Sequence, residues 1–347
     1  MGHYSNRETN YLFQKDDSMS LDIFNVVRPN SKLGGADPLE LIIEEFGGMV
    51  EGTLQRRSVT EGMINIKQVK GTATVSNYAI GATQLQVIEP GKTPNGTSAK
   101  FSKNSVTVDR TILARAILPL LDVFQTQYDA RKEIALEHGK RIAKFKDQSF
   151  LIQAIKTARL TVNPYGSLEG HAAGTVVKLT AAGDATDPAK LYHAFGQLFA
   201  QMMEKDVDPT GDDVWVFMRP ATFYALQEAE QVINGEYVTS DGTNIKAHIY
   251  SAWGVPVVPT PNMPNWVEGA TERPDGVAAH MGDDYAGDFT KVVAVAFSSR
   301  ALLSGSTIDL DSKVFFDDVS KHWYVDSWLA YASAPNRAEF AGTIELP

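Results

Sequence analysis

Four carboxylate pairs have types and spacing that could do chemistry: Asp212 with Asp213, Asp283 with Asp284, Asp309 with Asp311, and Asp317 with Asp318. Two neighbouring acids can divide general acid and base roles in a hydrolase, or hold a hard cation. Adjacent acids in polar loops are more commonly solvated, so these pairs support only an alternative reading, an acidic two-domain hydrolase working through Asp283 or Asp317. The seven histidines (His3, His138, His171, His193, His248, His280, His322) are scattered, and no two have the spacing of H-E-x-x-H or a comparable ligand set. The chain has no G-x-S-x-G elbow, phosphate loop or G-x-G-x-x-G. It also has no cysteine, which removes thiolate nucleophiles, Cys-ligated metals and disulfides and fits assembly in a reducing cytoplasm. The expectation is a protein with no catalytic residue, no cofactor and no metal. His138 reads as a hydrogen-bonded core histidine, and Phe195, Phe199, Met202 and Met203 read as helix core rather than a cofactor box. The sequon at Asn95 to Thr97 matters only in a secretory context.

The elements around these residues say more. With 347 residues, 43% hydrophobic and 21% charged, the chain has enough apolar content for two or three domains, or for one fold with large insertions. A net charge of −10 opposes sequence-specific nucleic-acid binding. The longest wholly apolar run, Val292 to Phe297, is far below the roughly 20 residues of a bilayer helix, and the first thirty residues have no secretory h-region, so no membrane role is expected.

Residues 1–37 are polar and thinly apolar (Leu21, Ile23, Phe24, Val26 and Val27) and predict an extended arm that orders against a partner surface. Asp37-Pro38 opens a short helix ending at Gly47-Gly48, and a strand pattern runs from Thr53 to Ile80. A Pro-, Gly- and Lys-rich loop from Gln84 to Asn104, flanked by strands that resume at Val106 and continue to Leu118, predicts a long β-arm. Its tip, Glu89 to Asn104, is expected to lack contacts within its own subunit.

A helical pattern from Tyr128 to Leu160 places Ala135, His138, Ile142, Phe145, Ile152 and Ile155 on one face and Lys132, Glu133, Glu137, Lys140, Arg141, Lys144 and Lys146 on the other. Gly139 is expected inside this helix despite costing about 1 kcal/mol relative to Ala, because a small residue admits a close backbone neighbour. Asp187-Pro188 starts a helix with Leu191, Phe195, Leu198 and Met202 on one face. A strand at Val214 to Met218, a helix from Pro220 to Val232 and a proline-broken edge strand at Trp253 to Pro259 follow. The ending is mostly antiparallel, with strands Val292 to Phe297, Thr307 to Leu310, Lys313 to Phe316 and His322 to Tyr331.

Several stretches in this order resemble the HK97-like major capsid proteins of short-tailed (podovirus-type) phages. Tyr128-Asp129-Ala130-Arg131-Lys132-Glu133 with Gly139, Ala143 and Asp147 resembles their spine helix, and Val106 to Asp109 through Leu120-Leu121-Asp122 their descending loop strand. Leu41 to Val50, Trp215 to Pro220 with Trp253-Gly254-Val255, and Ala330 to Ile344 align in the same order, so the resemblance covers about residues 39–345. It implies an α+β fold divided as an N-terminal arm (1–37), the first helix and strand of a peripheral domain (38–71), an extended loop (72–115), the peripheral domain with its spine helix (116–186), an α/β axial domain (187–260) and a return through both (261–347).

The implied function is a structural subunit forming pentamers and hexamers of an icosahedral head around packaged double-stranded DNA, located in the virion capsid and assembled in the host cytoplasm. The implied partners are copies of itself, a separate scaffolding protein, a portal ring and DNA bound without sequence specificity, with a cement or decoration protein left open. Only about 37 residues precede the first helix, which departs from members with a long cleaved scaffold segment and favours the separate scaffold. Lys92, Lys100, Lys103, Arg131, Lys132, Lys140, Arg141 and Lys144 are the expected inter-subunit contact residues. Some relatives join Lys to Asn with the help of a buried Glu, and Lys92, Lys100 or Lys103 of the loop with Asn336 and Glu339 would be the residues here, although short-tailed members do not generally use that bond. Encapsulin-like cargo shells share the fold and are the alternative within it.

Overall fold

The computed structural model describes residues 49–50, 53, 58–60, 62–83, 85–87, 90–91, 93, 96, 98–119, 130–166, 168–227, 237–238, 244–245 and 251–347. The arm, the helix opened by Asp37-Pro38 and the far end of the helix expected to reach Val232 lie outside the described residues.

In chain order the first strands are β1 (Ile66–Gln68), β2 (Thr74–Ile80), β3 (Phe101–Thr107) and β4 (Ile112–Pro119), followed by helix α1 (Ala130–Ala158). Next come β5 (Thr175–Lys178), α2 (Pro188–Met203), β6 (Trp215–Met218), α3 (Pro220–Gln227), β7 (Tyr237–Val238), β8 (Asn244–Ile245), β9 (Ser251–Ala252) and β10 (Val255–Pro259). The chain ends with β11 (Val267–Glu268), α4 (Val277–Met281), β12 (Gly287–Asp288), β13 (Val292–Phe297), β14 (Leu302–Asp317), β15 (His322–Pro335) and β16 (Ala341–Glu345). No helix among the described residues is long and apolar enough to cross a membrane.

Two sheets carry the body. One has the order β1-β14-β15-β4 and the other β5-β16-β13-β6-β10-β9. Helix α1 joins them. In its first half the charged residues line an exposed face opposite buried Ala135, Ile142 and Ala143, but from Asp147 to Ile155 every residue is buried, with Phe150, Leu151, Ile152 and Ile155 among the largest fully buried side chains. One apolar cluster runs continuously from this half-helix into both sheets and α2.

Local chemistry explains the elements. Asp187 caps α2 by accepting the N–H groups of Ala189 (3.1 Å) and Lys190 (3.3 Å), with Pro188 at the first helical position, as expected. Leu191, Phe195, Leu198 and Met202 are all buried. All six residues of β13 are buried, as a central strand covered on both faces requires.

Four expectations need correction. Thr53 is helical and residues 58–60 and 62–65 form turns and irregular backbone, so among the described residues the strand pattern begins only at β1; Thr53 bonds the carbonyl of Met49 four residues back (2.8 Å). Thr307 to Leu310 and Lys313 to Phe316 are halves of the single strand β14, irregular in register between Ser306 and Asp311, where polar residues imitate a break. The strand from Val255 to Pro259 is not the sheet edge, because β9 pairs its outer side at Val255 and Pro256. Met203 leaves the α2 core stripe and is 60% exposed, since it follows buried Met202 by only one position on the helix. In addition, β16, which no expectation included, pairs with both β13 and β5.

Candidate subunit-interface surfaces

Strands β2 and β3 form a ribbon paired in register from Thr74 opposite Thr107 to Ile80 opposite Phe101. The period-two alternation of a strand gives the ribbon two unlike faces. Val75, Val106 and Val108 join Leu303, Ala330 and Ala332 in a small separate core under the ribbon root. Gly305 of β14 makes that approach fit, because a Cβ there would lie 2.3 Å from Val75 Cγ2. Polar bonds complete the root: Asn77 Nδ2 donates to Tyr165 Oη (2.9 Å) and to Asn336 Oδ1 (3.2 Å), and Asn104 Nδ2 donates to the Pro335 carbonyl (2.7 Å). Asn104 therefore corrects the expectation that the whole tip lacks contacts with its own subunit.

The other face is bare. Tyr78 is 70% exposed and Phe101 72%, while Leu85 and Val87 beyond the paired strands are 97% and 91% exposed. Cross-strand pairing puts Ile80 beside Phe101 and Tyr78 beside Lys103, whose ammonium stands 5.8 Å from the Tyr78 ring centre. An apolar face rimmed by a cation marks an interaction surface rather than a solvated loop.

The expected contact lysines and arginines fall into two groups. Lys100 and Lys103 sit exposed on the ribbon, and Lys92 lies outside the described residues. Lys140, Arg141 and Lys144 are exposed on α1, where Lys140 approaches Glu137 (3.7 Å); Arg131 and Lys132 belong to the same helix, but their side chains lie outside the described set. With Phe145, Gln148, Arg273 and Asp275 the α1 group lines a shallow groove of about 320 Å³. Lys146, expected on this face, is instead buried.

Gly139 lies inside α1, as expected. The near neighbours are the helical residues Val50 and Thr53: a Cβ on Gly139 would stand 2.7 Å from Thr53 Cβ and 2.9 Å from the Val50 carbonyl oxygen. His138 is buried with Nδ1 3.2 Å from Ser327 Oγ, and burial holds its pKa below the usual histidine value.

The buried polar groups are structural. Asp147 Oδ1 accepts from Ser58 Oγ (2.7 Å), Thr60 N (3.2 Å) and Thr60 Oγ1 (2.7 Å), and Oδ2 from Val59 N (3.0 Å) and Asn262 Nδ2 (2.9 Å). This fully buried carboxylate gathers two distant loops onto α1. Asn336 is equally committed, accepting from Tyr165 Oη (2.5 Å) and donating to the Arg300 carbonyl (3.0 Å). Glu339 accepts from Arg337 Nε (2.7 Å) and Asn163 Nδ2 (2.7 Å). That pattern locks Asn336 and Glu339 into the body rather than leaving an amide and a base free for bond formation.

Three of the acid pairs have a member with a local duty. Asp317 caps the β14–β15 turn through Ser320 Oγ (2.7 Å) and Val319 N (3.1 Å), bonds that hold its pKa below the usual carboxylate range. Asp212 pairs with Arg300 (2.8 Å) and Asp309 accepts from Gln68. Among the described residues no three His, Asp or Glu side chains converge as a metal site. The sequence reading missed Gly305, Asn77, Tyr165 and Thr60. Gly305 carried a signal, a glycine inside a strand pattern, whereas the other three are ordinary polar residues whose partners are distant in sequence.

The family model of the Gp10A-like major capsid proteins matches residues 89–308. No curated protein matches the chain. Among solved structures, the capsid chain of cyanophage P-SCSP1u is similar at TM-score 0.69 and 18% identity, covering 84% of this chain and 88% of that one. The mature capsid of bacteriophage PhiM1 is similar at TM-score 0.65 and 18% identity, covering 83% and 87%. The virus-like particle from Pyrococcus furiosus is more distant, at TM-score 0.52 and 11% identity, covering 88% and 99%. At these identities the structures establish a shared fold, the HK97-like capsid fold. The family is one of structural shell proteins, which sets aside the hydrolase reading of Asp283 and Asp317. With the family model spanning well over half its length, the chain belongs to the Gp10A-like major capsid proteins, self-assembling subunits of a virion shell.

Proposed function

We propose that the subunit assembles as pentamers and hexamers of an icosahedral phage head enclosing double-stranded DNA, built in the host cytoplasm. In this reading residues 72–115 are the extended loop lying on a neighbouring subunit, 128–160 the spine, 116–186 the peripheral domain and 187–260 the axial domain. The observation that carries it is the ribbon: a rooted β-hairpin whose outer face leaves Tyr78, Ile80 and Phe101 without cover. A self-sufficient monomer gains nothing by holding such a face in water. A neighbour's body would bury it.

The cations fit the same reading. Lys100 and Lys103 on the ribbon and Lys140, Arg141 and Lys144 on α1 would meet acidic surfaces of a chain with net charge −10. Exposed pairs are worth only about 0–1 kcal/mol each, so shell strength would come from their number. The same acidity keeps the inner wall from gripping DNA. A separate scaffolding protein, a portal ring and a cement or decoration protein are the partners that such a shell would recruit. An encapsulin-like cargo shell is the alternative within the fold, but the match to a major capsid protein family favours the virion.

The test is paired calorimetry and light scattering on capsomers and particles across a salt series. Shells should melt above capsomers by mass action, and added salt should slow assembly by screening over a Debye length of about 8 Å. Equal melting with salt-independent assembly would refute the polar-contact reading.

A further inference from the structure

We propose that His171 is a proton-sensitive latch holding the far end of the ribbon to the body. The ribbon end, Ile80 to Ala82, lies on the loop 168–171: Ala82 N donates to the Glu169 carbonyl (2.8 Å) and His171 Nε2 stands 3.3 Å from the Ile80 carbonyl. Nδ1 of the same ring, buried in a side chain only 9% exposed, makes no hydrogen bond and faces Glu339 Oε1 at 3.7 Å. Both nitrogens therefore point at acceptors. A neutral imidazole carries one N–H, so one lone pair must face an oxygen. The imidazolium carries two, and it alone satisfies both the ribbon carbonyl and the buried carboxylate.

The surrounding charges nearly balance, which leaves these two acceptors to decide. Glu339 (3% exposed) sits on the turn after β15 and shares Oε1 with Arg337 Nε (2.7 Å). Glu169 lies on the same loop as His171 and lines the adjoining cavity with Arg337, Tyr165 and Tyr78. Lys205, at the end of α2, is held by the carbonyls of Ala173 and Gly174, and its pKa is lowered by burial. The Tyr165 ring packs 5.4 Å from the imidazole, with burial raising its hydroxyl pKa, so it stays neutral near pH 6. Protonating His171 adds one charge-assisted bond between body and ring while the ring still holds Ile80. The ribbon end is thus held more firmly when the ring carries both protons.

The experiment is hydrogen exchange on the full-length subunit at pH 5.5 and 7.5, corrected for intrinsic rates, reading the peptide that contains Gly81 and Ala82. Wild type should gain roughly ten-fold protection there at the lower pH, the size of one charge-assisted bond. Strand β13 should not change. His171→Gln, which keeps a donor toward Ile80 but cannot take the proton, should abolish the step. A step that survives in His171→Gln would assign it to another group and overturn the latch. Equal wild-type protection at both pH values would overturn it too, and that comparison decides even where the variant fails to fold.

Discussion

The six-stranded sheet and the ribbon are built from similar residues put to opposite use. In β13 six consecutive residues are buried and α1 and its neighbours cover them, whereas in β2 and β3 Val75 and Val106 are the buried residues and the aromatic side chains face outward. Stability of the isolated subunit therefore resides in the body, and the ribbon contributes surface. The fold separates the two tasks. One region closes its hydrogen bonds and apolar area internally, while the other keeps only a rooted base and offers the rest to a second chain.

Changes in the body should unfold the subunit. Asp147→Asn is expected to cost most: it replaces one oxygen with a donor and orphans at least two of the buried N–H and O–H groups now satisfied, at about 1–3 kcal/mol each. Urea melting of the subunit should show the loss. Next, Gly139→Ala should destabilise although Ala is the better helix former, because its methyl would overlap Thr53 and the Val50 carbonyl. A net loss of about 1–2 kcal/mol is expected, and a gain would mean that this packing yields easily.

How far the sequence spoke follows the same division. The capped start of α2, the length of α1 and the placement of Gly139 and His138 were legible because they are local patterns of period 3.6 and cap chemistry. The hubs at Asp147 and Asn336 were not, since the Asp147 partners and the Asn77 and Tyr165 side chains that meet Asn336 lie more than eighty residues away and polar residues carry no periodic signal. Strand β14 read as two pieces because its irregular stretch places polar Asp309 and Asp311 where a break would put them. On the ribbon, the strands were legible but not which residues root it, because that depends on Gly305 and Pro335 far along the chain.

A smaller effect in the body is pH dependence. His138 is held below the usual histidine pKa by burial, so the folded chain binds its proton less readily than the unfolded chain does. That contribution is fully present above the unfolded value of about 6.5 and is lost as pH falls from there toward the lower folded value. His138→Gln should remove part of the stability slope between pH 7 and 5 in a series of urea melts. An unchanged slope would show that other groups carry it.

The smallest effect on subunit stability, and the largest on assembly, should come from the ribbon's outer face. Replacing Tyr78, Ile80 and Phe101 together by Ser removes side chains that are mostly in water, so the subunit should melt within about 1 kcal/mol of wild type. The most direct measurement is electron microscopy of this triple variant beside wild type, with melting of both subunits recorded in parallel. Closed shells from wild type, and a normally melting variant that forms none, is the expected result. A variant that melts normally and still closes shells would contradict the assignment of this face to a neighbouring subunit.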